Sequence, residues 1–216
     1  MAVIKVHGHH GSTATVMVLC CLNEKNLEYE LVFVDFFAGA HKTPEYLALN
    51  PLGLIPTIQD GDLTLFESRA IIKYLAKQYE GQGTDLLGRT VSEQALVEQW
   101  SQVEAQSFNS PVFFIIEQVL IAPIVGGSTD EAAVEIRVEK VGKLLDIYEE
   151  RLSKSKYLAG DFFSLADLQH LPYTNYLING CGKGDLISSR KHVKAWWEDI
   201  SSRPAWKKVA EKMTFK

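Results

Sequence analysis

The sequence predicts an α/β unit followed by an all-helical unit, and three observations support this assignment. Short runs rich in β-branched and aromatic residues are confined to residues 1–80. A helical pattern separates the first two of these runs, which gives the strand, helix, strand order of a right-handed crossover. Turn-forming residues at 80–85 end the alternation, and no convincing strand follows residue 91.

Composition and charge disfavour several functional classes. The chain has 216 residues, of which 46% are hydrophobic, and this supports a sizeable core. Its net charge of -5 and the lack of a basic run argue against nucleic-acid binding. No eighteen apolar residues occur together, and the apolar run at 16–22 lacks the basic region that precedes it in a signal peptide. We therefore expect a cytosolic protein that does not insert into membranes.

The cysteines and the N-terminal histidines indicate neither a disulfide framework nor a metal site. The chain has three cysteines, and Cys20 and Cys21 are adjacent in an apolar stretch, which is typical of small buried residues. His7, His9 and His10 have no carboxylate or thiolate near them in sequence. We expect these histidines to be exposed to solvent, and we predict no metal ligands.

The elements of the first unit follow in order. Residues 4–6 alternate as a short strand, and residues 13–23 form an apolar helix capped by Ser12. Residues 29–34 predict a buried strand, and residues 41–49 a short helical turn. Two further strands, the second at 63–66 after an Asp-Gly turn, precede a helix over 68–79.

A peptide-binding edge is predicted at residues 54–56. Proline drives the residue before it to extended geometry, so Ile55 before Pro56 should present an unpaired backbone edge. An extended peptide could add to such an edge through main-chain hydrogen bonds.

Glu67 and Ser68 stand where the last strand gives way to a helix. A helix start suits a carboxylate and a neighbouring glutamate suits an ammonium, so the pair could receive a free amino-acid head group. Serine is also a common N-cap, and an ordinary helix start with an acidic first turn explains the same two residues. On these residues alone we expect Ser68 to be the cap.

Ser12 carries a similar pair of interpretations. Its hydroxyl, at the start of a helix, could donate to a thiolate and stabilise it together with the helix dipole. It could equally be only the N-cap of the helix.

The second unit is predicted to contain helices at 91–118, 130–152, 165–177 and 193–213, the last with a break near Arg203 and Pro204. Ser164 and Asp167 have the spacing of a capping box, with Asp in place of Glu. Residues 113–116 are apolar and either belong to the core or line a pocket for a hydrophobic co-substrate.

The ordered motifs identify a resemblance that runs essentially from end to end: the chain resembles a cytosolic glutathione transferase, most closely the phi class of plants. No single motif is specific for this family, but the ordered set of motifs is. The matching motifs are Ser12-Thr13, His41-Lys42, Asn50-Pro51-Leu52-Gly53 through Pro56, Phe66-Glu67-Ser68-Arg69, Tyr157-Leu158-Ala159-Gly160-Asp161, residues 164–168 and His192-Val193-Lys194-Ala195-Trp196-Trp197.

The resemblance implies a thioredoxin-like N-terminal domain, βαβ-ββα with Pro56 in cis, over residues 1–80. It further implies a linker at 81–90, an all-α domain over residues 91–216, and a homodimer. It assigns Ser12 to the thiolate of glutathione, and it assigns the remaining contacts of the tripeptide to His41, Lys42, Leu54, Ile55, Pro56, Glu67 and Ser68.

One of these positions departs from the family. Leu54 stands where relatives usually carry glutamine, and its side chain cannot form a hydrogen bond to glutathione. The hydrophobic substrate is assigned to Phe36, Phe114, Gln118 and Ile121, where classes differ most. Glu117 is an unexpected acid in that stretch.

The function implied is a glutathione transferase that joins the glutathione thiolate to hydrophobic electrophiles, with peroxidase activity as a second possibility. Reduced glutathione would be a co-substrate, and no cofactor would be bound permanently. One alternative is a non-catalytic carrier of hydrophobic small molecules, which Leu54 keeps open. Another is thiol-disulfide exchange, against which Ser12 argues, because relatives with that activity use cysteine there.

Overall fold

The computed structural model describes residues 3–213 and divides into two compact units. The first unit contains the residues through Asp85 together with the segment that begins at Pro204. The second unit is Leu86–Arg203. The final segment, which the sequence places in the helical domain, thus belongs to the first compact unit.

The first unit has a mixed four-stranded sheet. Its elements are, in chain order, β1 (Ile4–Gly8), α1 (Thr13–Glu24), β2 (Tyr29–Phe33), a 3₁₀ turn (Ala40–Lys42), α2 (Pro44–Leu49), β3 (Thr57–Asp60), β4 (Leu63–Phe66) and α3 (Ser68–Gln78). The strand order is β2-β1-β3-β4, with β1 and β2 parallel and the other pairs antiparallel. The peptide bond between Ile55 and Pro56 is cis. The expected thioredoxin-like arrangement is confirmed.

The prediction of a buried second strand was wrong. Strand β2 lies at the edge of the sheet and has only half-buried and exposed residues, and Phe33 is 69% exposed. Its apolar composition resembles that of a central strand, but the parallel crossover places it outside β1, where only one edge is paired.

One end of the sheet gathers the segments that carry the predicted glutathione-binding residues. The register pairs His7 with Thr57 and Thr57 with Phe66. The chain therefore leaves β1 towards Ser12, enters β3 from Pro56 and leaves β4 towards Glu67 at the same end. Since β2 runs parallel to β1, the segment after it, which carries His41, also starts there.

The second unit is helical throughout its described elements. These are α4 (Val91–Ile124), α5 (Glu131–Leu152), α6 (Leu165–Leu168), α7 (His170–Asn175), α8 (Asp185–Ser188) and α9 (Lys191–Ser201). Helix α4 runs six residues beyond the predicted end, and a turn at Gln169 interrupts the predicted helix 165–177. Helix α10 (Pro204–Ala210) follows the predicted break and packs against α1 in the first unit.

Helix α4 is irregular and strongly apolar. It contains π-helical turns at Glu104–Phe108 and Glu117–Ile121, and π turns often occur at functional sites. By length and composition alone, it is the one helix among the described residues that could cross a membrane. It also carries Glu104, which is fully buried. Val97, Trp100 and Val112 are buried as well, so part of the helix packs within the second unit, although only 28% of its most apolar stretch is buried.

The core of the second unit contains a saturated polar centre at Asp167. The fully buried carboxylate accepts hydrogen bonds from the backbone N–H of Leu158 and Ser164, the hydroxyl of Ser164 and Nε1 of Trp196, at 2.9 to 3.1 Å. Burial raises the pKa of Asp167 to about 6, and these donors oppose the rise. The predicted capping box is therefore present and complete.

Candidate functional site

Ser12 caps helix α1 and keeps its hydroxyl proton for another partner. The residue is extended, with φ -84° and ψ 119°, and its Oγ accepts a 3.2 Å hydrogen bond from the Thr15 N–H. A hydroxyl has one proton and two acceptor lone pairs, and the cap uses only a lone pair. The two interpretations of Ser12 are therefore compatible, because the capped hydroxyl can still donate to a ligand.

The turn before Ser12 is tight. The space where a Cβ of Gly8 would lie is filled by Thr15, whose Oγ1 would stand 2.5 Å from that atom. The Ser12 N–H donates to the carbonyl of His9 at 3.1 Å, which closes the turn. Helix α1 starts directly after it, so Ser12 stands at the positive end of the helix dipole.

The segment before β3 is held by its main chain. Tyr46 Oη and Asn50 Nδ2 both donate to the carbonyl of Leu54 at 2.8 Å. The Leu54 side chain takes no part in these bonds and is 48% exposed. Ile55 precedes the cis proline, and no backbone hydrogen bond to it occurs within residues 3–213. Its N–H and carbonyl can therefore pair with an extended peptide.

The N-terminus of α3 has no side-chain cap. The helix begins at Ser68, so the prediction that Ser68 is the N-cap was wrong, and the cap position belongs to Glu67. Glu67 has φ 68° and ψ 104°, a strained backbone for a residue with a side chain. Its exposed carboxylate makes no cap bond. The first N–H groups of α3 thus face a site that suits a carboxylate, and Glu67 beside them suits an ammonium.

His41 and Lys42 occupy the 3₁₀ turn after β2. Lys42 Nζ donates to the carbonyl oxygens of Leu52 at 3.3 Å and Gly53 at 2.9 Å, which leaves one of its three protons for a ligand. The His41 ring is buried, and its Nδ1 has no hydrogen-bond partner. Burial lowers the pKa of His41, with a smaller effect from Lys42, so the ring is neutral near pH 7.

The predicted hydrophobic-substrate residues have individual roles in the structure. In the first unit, Phe36 stacks on His41 with ring centroids 4.0 Å apart and planes within 8°. In the second unit, Phe114 lies under the guanidinium of Arg137 at 4.7 Å. Gln118 Oε1 accepts from the backbone of Asp130, the N-cap of α5, so part of this side chain already holds a loop. Their contact with a substrate stays a prediction.

Ile121 and Glu117 lie in the second π turn of α4. Ile121 is half-buried, and its carbonyl accepts from Val125. Glu117 is exposed to solvent, which removes the difficulty of an acid in an apolar stretch. The π turn changes which side chains share a face, so the spacing of a regular helix does not describe this stretch.

The N-terminal histidines are not exposed to solvent, contrary to the expectation. All three are partly buried. His7 Nε2 bonds to Gln59 Oε1 at 2.9 Å, and His9 Nδ1 accepts from the Gly11 N–H at 3.1 Å. Sequence reasoning missed them because histidine, unlike asparagine, is not a characteristic turn-bracing residue. Across the described residues, no three His, Cys, Asp or Glu side chains are placed to hold a metal ion.

The three cysteines are buried, as predicted, and their sulfur atoms are not joined in disulfide bonds. Burial raises the pKa of the Cys21 thiol far above its ordinary value and that of Cys181 to about 11. A thiol is a nucleophile only as its thiolate, so neither group is poised for chemistry.

Two family models match the chain. The Glutathione S-transferase, N-terminal domain, matches residues 2–77, and the Glutathione S-transferase, C-terminal domain, matches residues 112–204.

Individual relatives match along almost the whole length. Glutathione S-transferase F9 of Arabidopsis thaliana is 48% identical over 213 residues, which is 99% of both chains. The crystal structure of glutathione transferase F7 from Populus trichocarpa superposes with a TM-score of 0.96 at 54% identity and covers 99% of this chain and 100% of that one. Glutathione S-transferase I from mais, solved in complex with an atrazine glutathione conjugate, has a TM-score of 0.91 at 42% identity and 98% coverage of both.

Proposed function

The chain belongs to the glutathione S-transferase family, in the phi class, and catalyses glutathione conjugation; from this premise we propose how its first unit binds and activates the tripeptide. The observation that carries the proposal is that the Ser12 hydroxyl caps α1 as an acceptor only. Its proton remains available at a helix N-terminus, where a negative charge is favoured.

The ends of glutathione are recognised by charge. The γ-glutamyl carboxylate binds the open N–H groups at the start of α3, at Ser68, while the carboxylate of Glu67 pairs with the ammonium group. The glycine carboxylate binds the third proton of Lys42 and the neutral ring of His41.

The middle of glutathione is recognised by shape. The cysteinyl unit lies extended and pairs with the backbone of Ile55, whose neighbour Leu54 is fixed through its carbonyl. The Leu54 side chain offers no hydrogen bond, so this chain binds glutathione less tightly than a relative with glutamine there.

Activation is the loss of the thiol proton. Ser12 donates its hydroxyl hydrogen bond to the sulfur, and the dipole of α1 favours the same negative charge, so both lower the thiol pKa. The thiol proton passes to solvent, and the thiolate attacks the electrophilic carbon and forms the C–S bond. At an aryl halide the halide ion leaves with its bonding electrons, whereas at a conjugated carbonyl no group leaves and the resulting enolate takes up a proton from solvent. No protein side chain becomes covalently attached, and no resident cofactor is needed for this step.

The electrophile is a hydrophobic molecule that has either a carbon bearing a leaving group or a carbon conjugated to a carbonyl group. The atrazine glutathione conjugate in the mais relative supports activated aryl halides as one class. The residues assigned to this substrate are Phe36, Phe114, Gln118 and Ile121, and replacing any of them should change KM for the electrophile more than KM for glutathione.

The deciding experiment is steady-state conjugation of glutathione to a generic aryl halide, with wild type and Ser12→Ala compared across pH. We expect Ser12→Ala to lose about a hundredfold in kcat/KM near neutrality, the cost typical of one removed oxyanion donor. We expect the loss to shrink at high pH, where the thiol ionises unaided. Equal rates at all pH values would overturn the role of Ser12.

Assembly and location are part of the same proposal. We infer a cytosolic homodimer, which is consistent with the family. Sedimentation at micromolar concentration should give twice the chain mass, and a monomer would contradict the dimer.

The carrier alternative is not favoured by the relatives, and the disulfide-exchange alternative lacks a nucleophile, because the described cysteines are buried. A wild-type protein that binds hydrophobic ligands but conjugates no electrophile would restore the carrier interpretation.

A further inference from the structure

The turn that presents Ser12 is braced by His9 through two hydrogen bonds. The His9 carbonyl accepts the Ser12 N–H, and its side-chain Nδ1 accepts the Gly11 N–H, both at 3.1 Å. His9 thus binds two consecutive N–H groups of the turn, one through its main chain and one through its ring. In proteins this geometry is usually provided by Asn or Asp, whose side chains accept from the N–H two residues ahead.

The turn has little freedom to take another shape. On one side, Gly8 lies against Thr15 with no room for a side chain. On the other side, Ser12 is fixed by its bond to the Thr15 N–H. The ring of His9 holds the N–H of Gly11 and so fixes the direction of the peptide between His10 and Gly11, next to the peptide whose Ser12 N–H the His9 carbonyl accepts. A rotated peptide there would turn the Ser12 hydroxyl away from its ligand.

Only one protonation state of His9 can brace the turn. An acceptor at Nδ1 requires the neutral ring with its proton on Nε2, because the imidazolium has donors at both nitrogens. Burial lowers the pKa of His9, and His10 lowers it further, while the carboxylate of Asp35 acts in the opposite direction.

The surroundings keep the ring in place. The Phe33 ring of β2 packs against it with centroids 6.3 Å apart. Asp35 follows β2, and its charge raises the pKa of His9. The charge of Lys212 lowers the pKa of His10 instead. The neutral ring therefore predominates near pH 7, and acidification charges it.

We propose that His9 is a positioning residue for Ser12: its neutral ring holds the Gly11 N–H so that the Ser12 hydroxyl faces the thiolate, and protonation of the ring releases the turn and lowers transferase activity. The proposal rests on the function proposed above, in which Ser12 is the donor to the sulfur. It adds a second acid-side loss of activity to the one caused by protonation of the glutathione thiol.

The test replaces His9 with Ala, which removes the acceptor, and with Asn, which restores one without titrating. We expect His9→Ala to lose about tenfold in kcat/KM for glutathione at pH 7, equivalent to one hydrogen bond, and to raise the pKa of the bound thiol. We expect His9→Asn to keep the rate within about threefold and to lose the second acid-side step in the pH profile.

Matched controls separate positioning from folding. His10→Asn changes the neighbouring histidine, whose Nδ1 has no hydrogen-bond partner, and should keep the wild-type rate at pH 7. Because His10 lowers the pKa of His9, this variant should only move the acid-side step slightly to higher pH. Binding of S-hexylglutathione, which has the tripeptide but no ionisable thiol, should be unchanged in all three variants. If His9→Ala keeps the wild-type rate and thiol pKa, or if His9→Asn is as impaired as His9→Ala, the proposal is wrong.

A double variant distinguishes the proposed role of His9 from the proposed role of Ser12 as the donor to the sulfur. In a Ser12→Ala background, His9→Ala should have no further effect on the thiol pKa, because the group that it positions is gone. A full additional loss would show that His9 acts otherwise than through Ser12. If Ser12→Ala alone leaves the thiol pKa unchanged, the assigned role of Ser12 fails first, and His9 has nothing to position.

Discussion

Helices α3 and α6 begin in opposite ways. The start of α6 is buried, and its cap residues Ser164 and Asp167 satisfy each other. The start of α3 has no side-chain cap, and its cap residue Glu67 is exposed with a strained backbone. A capped start stabilises a fold, whereas an open one leaves donors for a ligand. The difference teaches that the second unit uses its helix start for stability, while the first unit keeps one free for binding.

The largest expected effect comes from breaking the satisfied start. Asp167→Ala leaves four buried donors without an acceptor, so the free energy of unfolding should fall by about 4 kcal/mol. Urea denaturation measures this change. Glu139→Ala, which removes an exposed carboxylate from α5, is the control and should leave the midpoint unchanged. A loss no greater than that of the control would contradict the account of α6.

The pH dependence of the same site gives a second check. The pKa of Asp167 is about 6 in the folded protein against an ordinary value of 3.8, so the folded state binds the proton more tightly. Stability contributed by this group is therefore complete below pH 4 and is lost as the pH rises through 6. Between pH 4 and pH 6 and above, the free energy of unfolding of wild type should fall relative to that of Asp167→Asn. A rise of the wild-type value relative to the variant would contradict this pH dependence.

The open start should show its effect in binding. Glu67→Gln removes the charge that pairs with the ammonium group of glutathione but keeps the shape, so KM for glutathione should rise about tenfold. Steady-state kinetics at saturating electrophile measures it. Asp62→Asn, an exposed acid in the preceding turn, should leave KM unchanged. An unchanged KM in Glu67→Gln would remove the ammonium contact from the proposal.

Because the backbone at Glu67 is strained, relieving the strain should raise the stability of the protein and weaken its binding of glutathione. Glu67→Gly accepts φ 68° without strain, and after the entropy cost of glycine the protein should gain about 1 kcal/mol of stability while binding glutathione less tightly. Thermal unfolding and glutathione titration test the two halves. A variant that is less stable than wild type would show that the backbone here is not strained.

The smallest expected effect concerns Leu54. Its carbonyl is fixed by Tyr46 and Asn50, so Leu54→Gln changes only an exposed side chain. The added amide can form a hydrogen bond to glutathione, and KM should fall about threefold. Leu52→Gln, at an exposed neighbouring position, is the matched control. Equal Michaelis constants for wild type and Leu54→Gln would contradict the prediction.

Local sequence signals predicted what depends on neighbours along the chain. The cap at Ser12 and the box of Ser164 with Asp167 follow from residues three positions apart, and the structure contains both. The cis bond before Pro56, in contrast, came from the family resemblance, because local proline geometry favours trans.

Features that depend on distant pairing could not be read from the chain. The edge position of β2 follows from the order of the strands in the sheet, and the apolar composition of β2 does not indicate that order. The cap of α3 was misplaced by one residue because a positive φ at a glutamate is not visible in sequence. The π turns of α4, and the use of Gln118 to hold Asp130, depend on packing rather than on periodicity.

The most direct test of the central claim is the pKa of the glutathione thiol when it is bound, followed by the ultraviolet absorption of the thiolate across pH in wild type and Ser12→Ala. If the free hydroxyl proton of Ser12 stabilises the anion, the thiol pKa in wild type lies at least about one unit below that in Ser12→Ala. The same pKa in both proteins would show that Ser12 is only a cap, and that the first unit activates glutathione by other means.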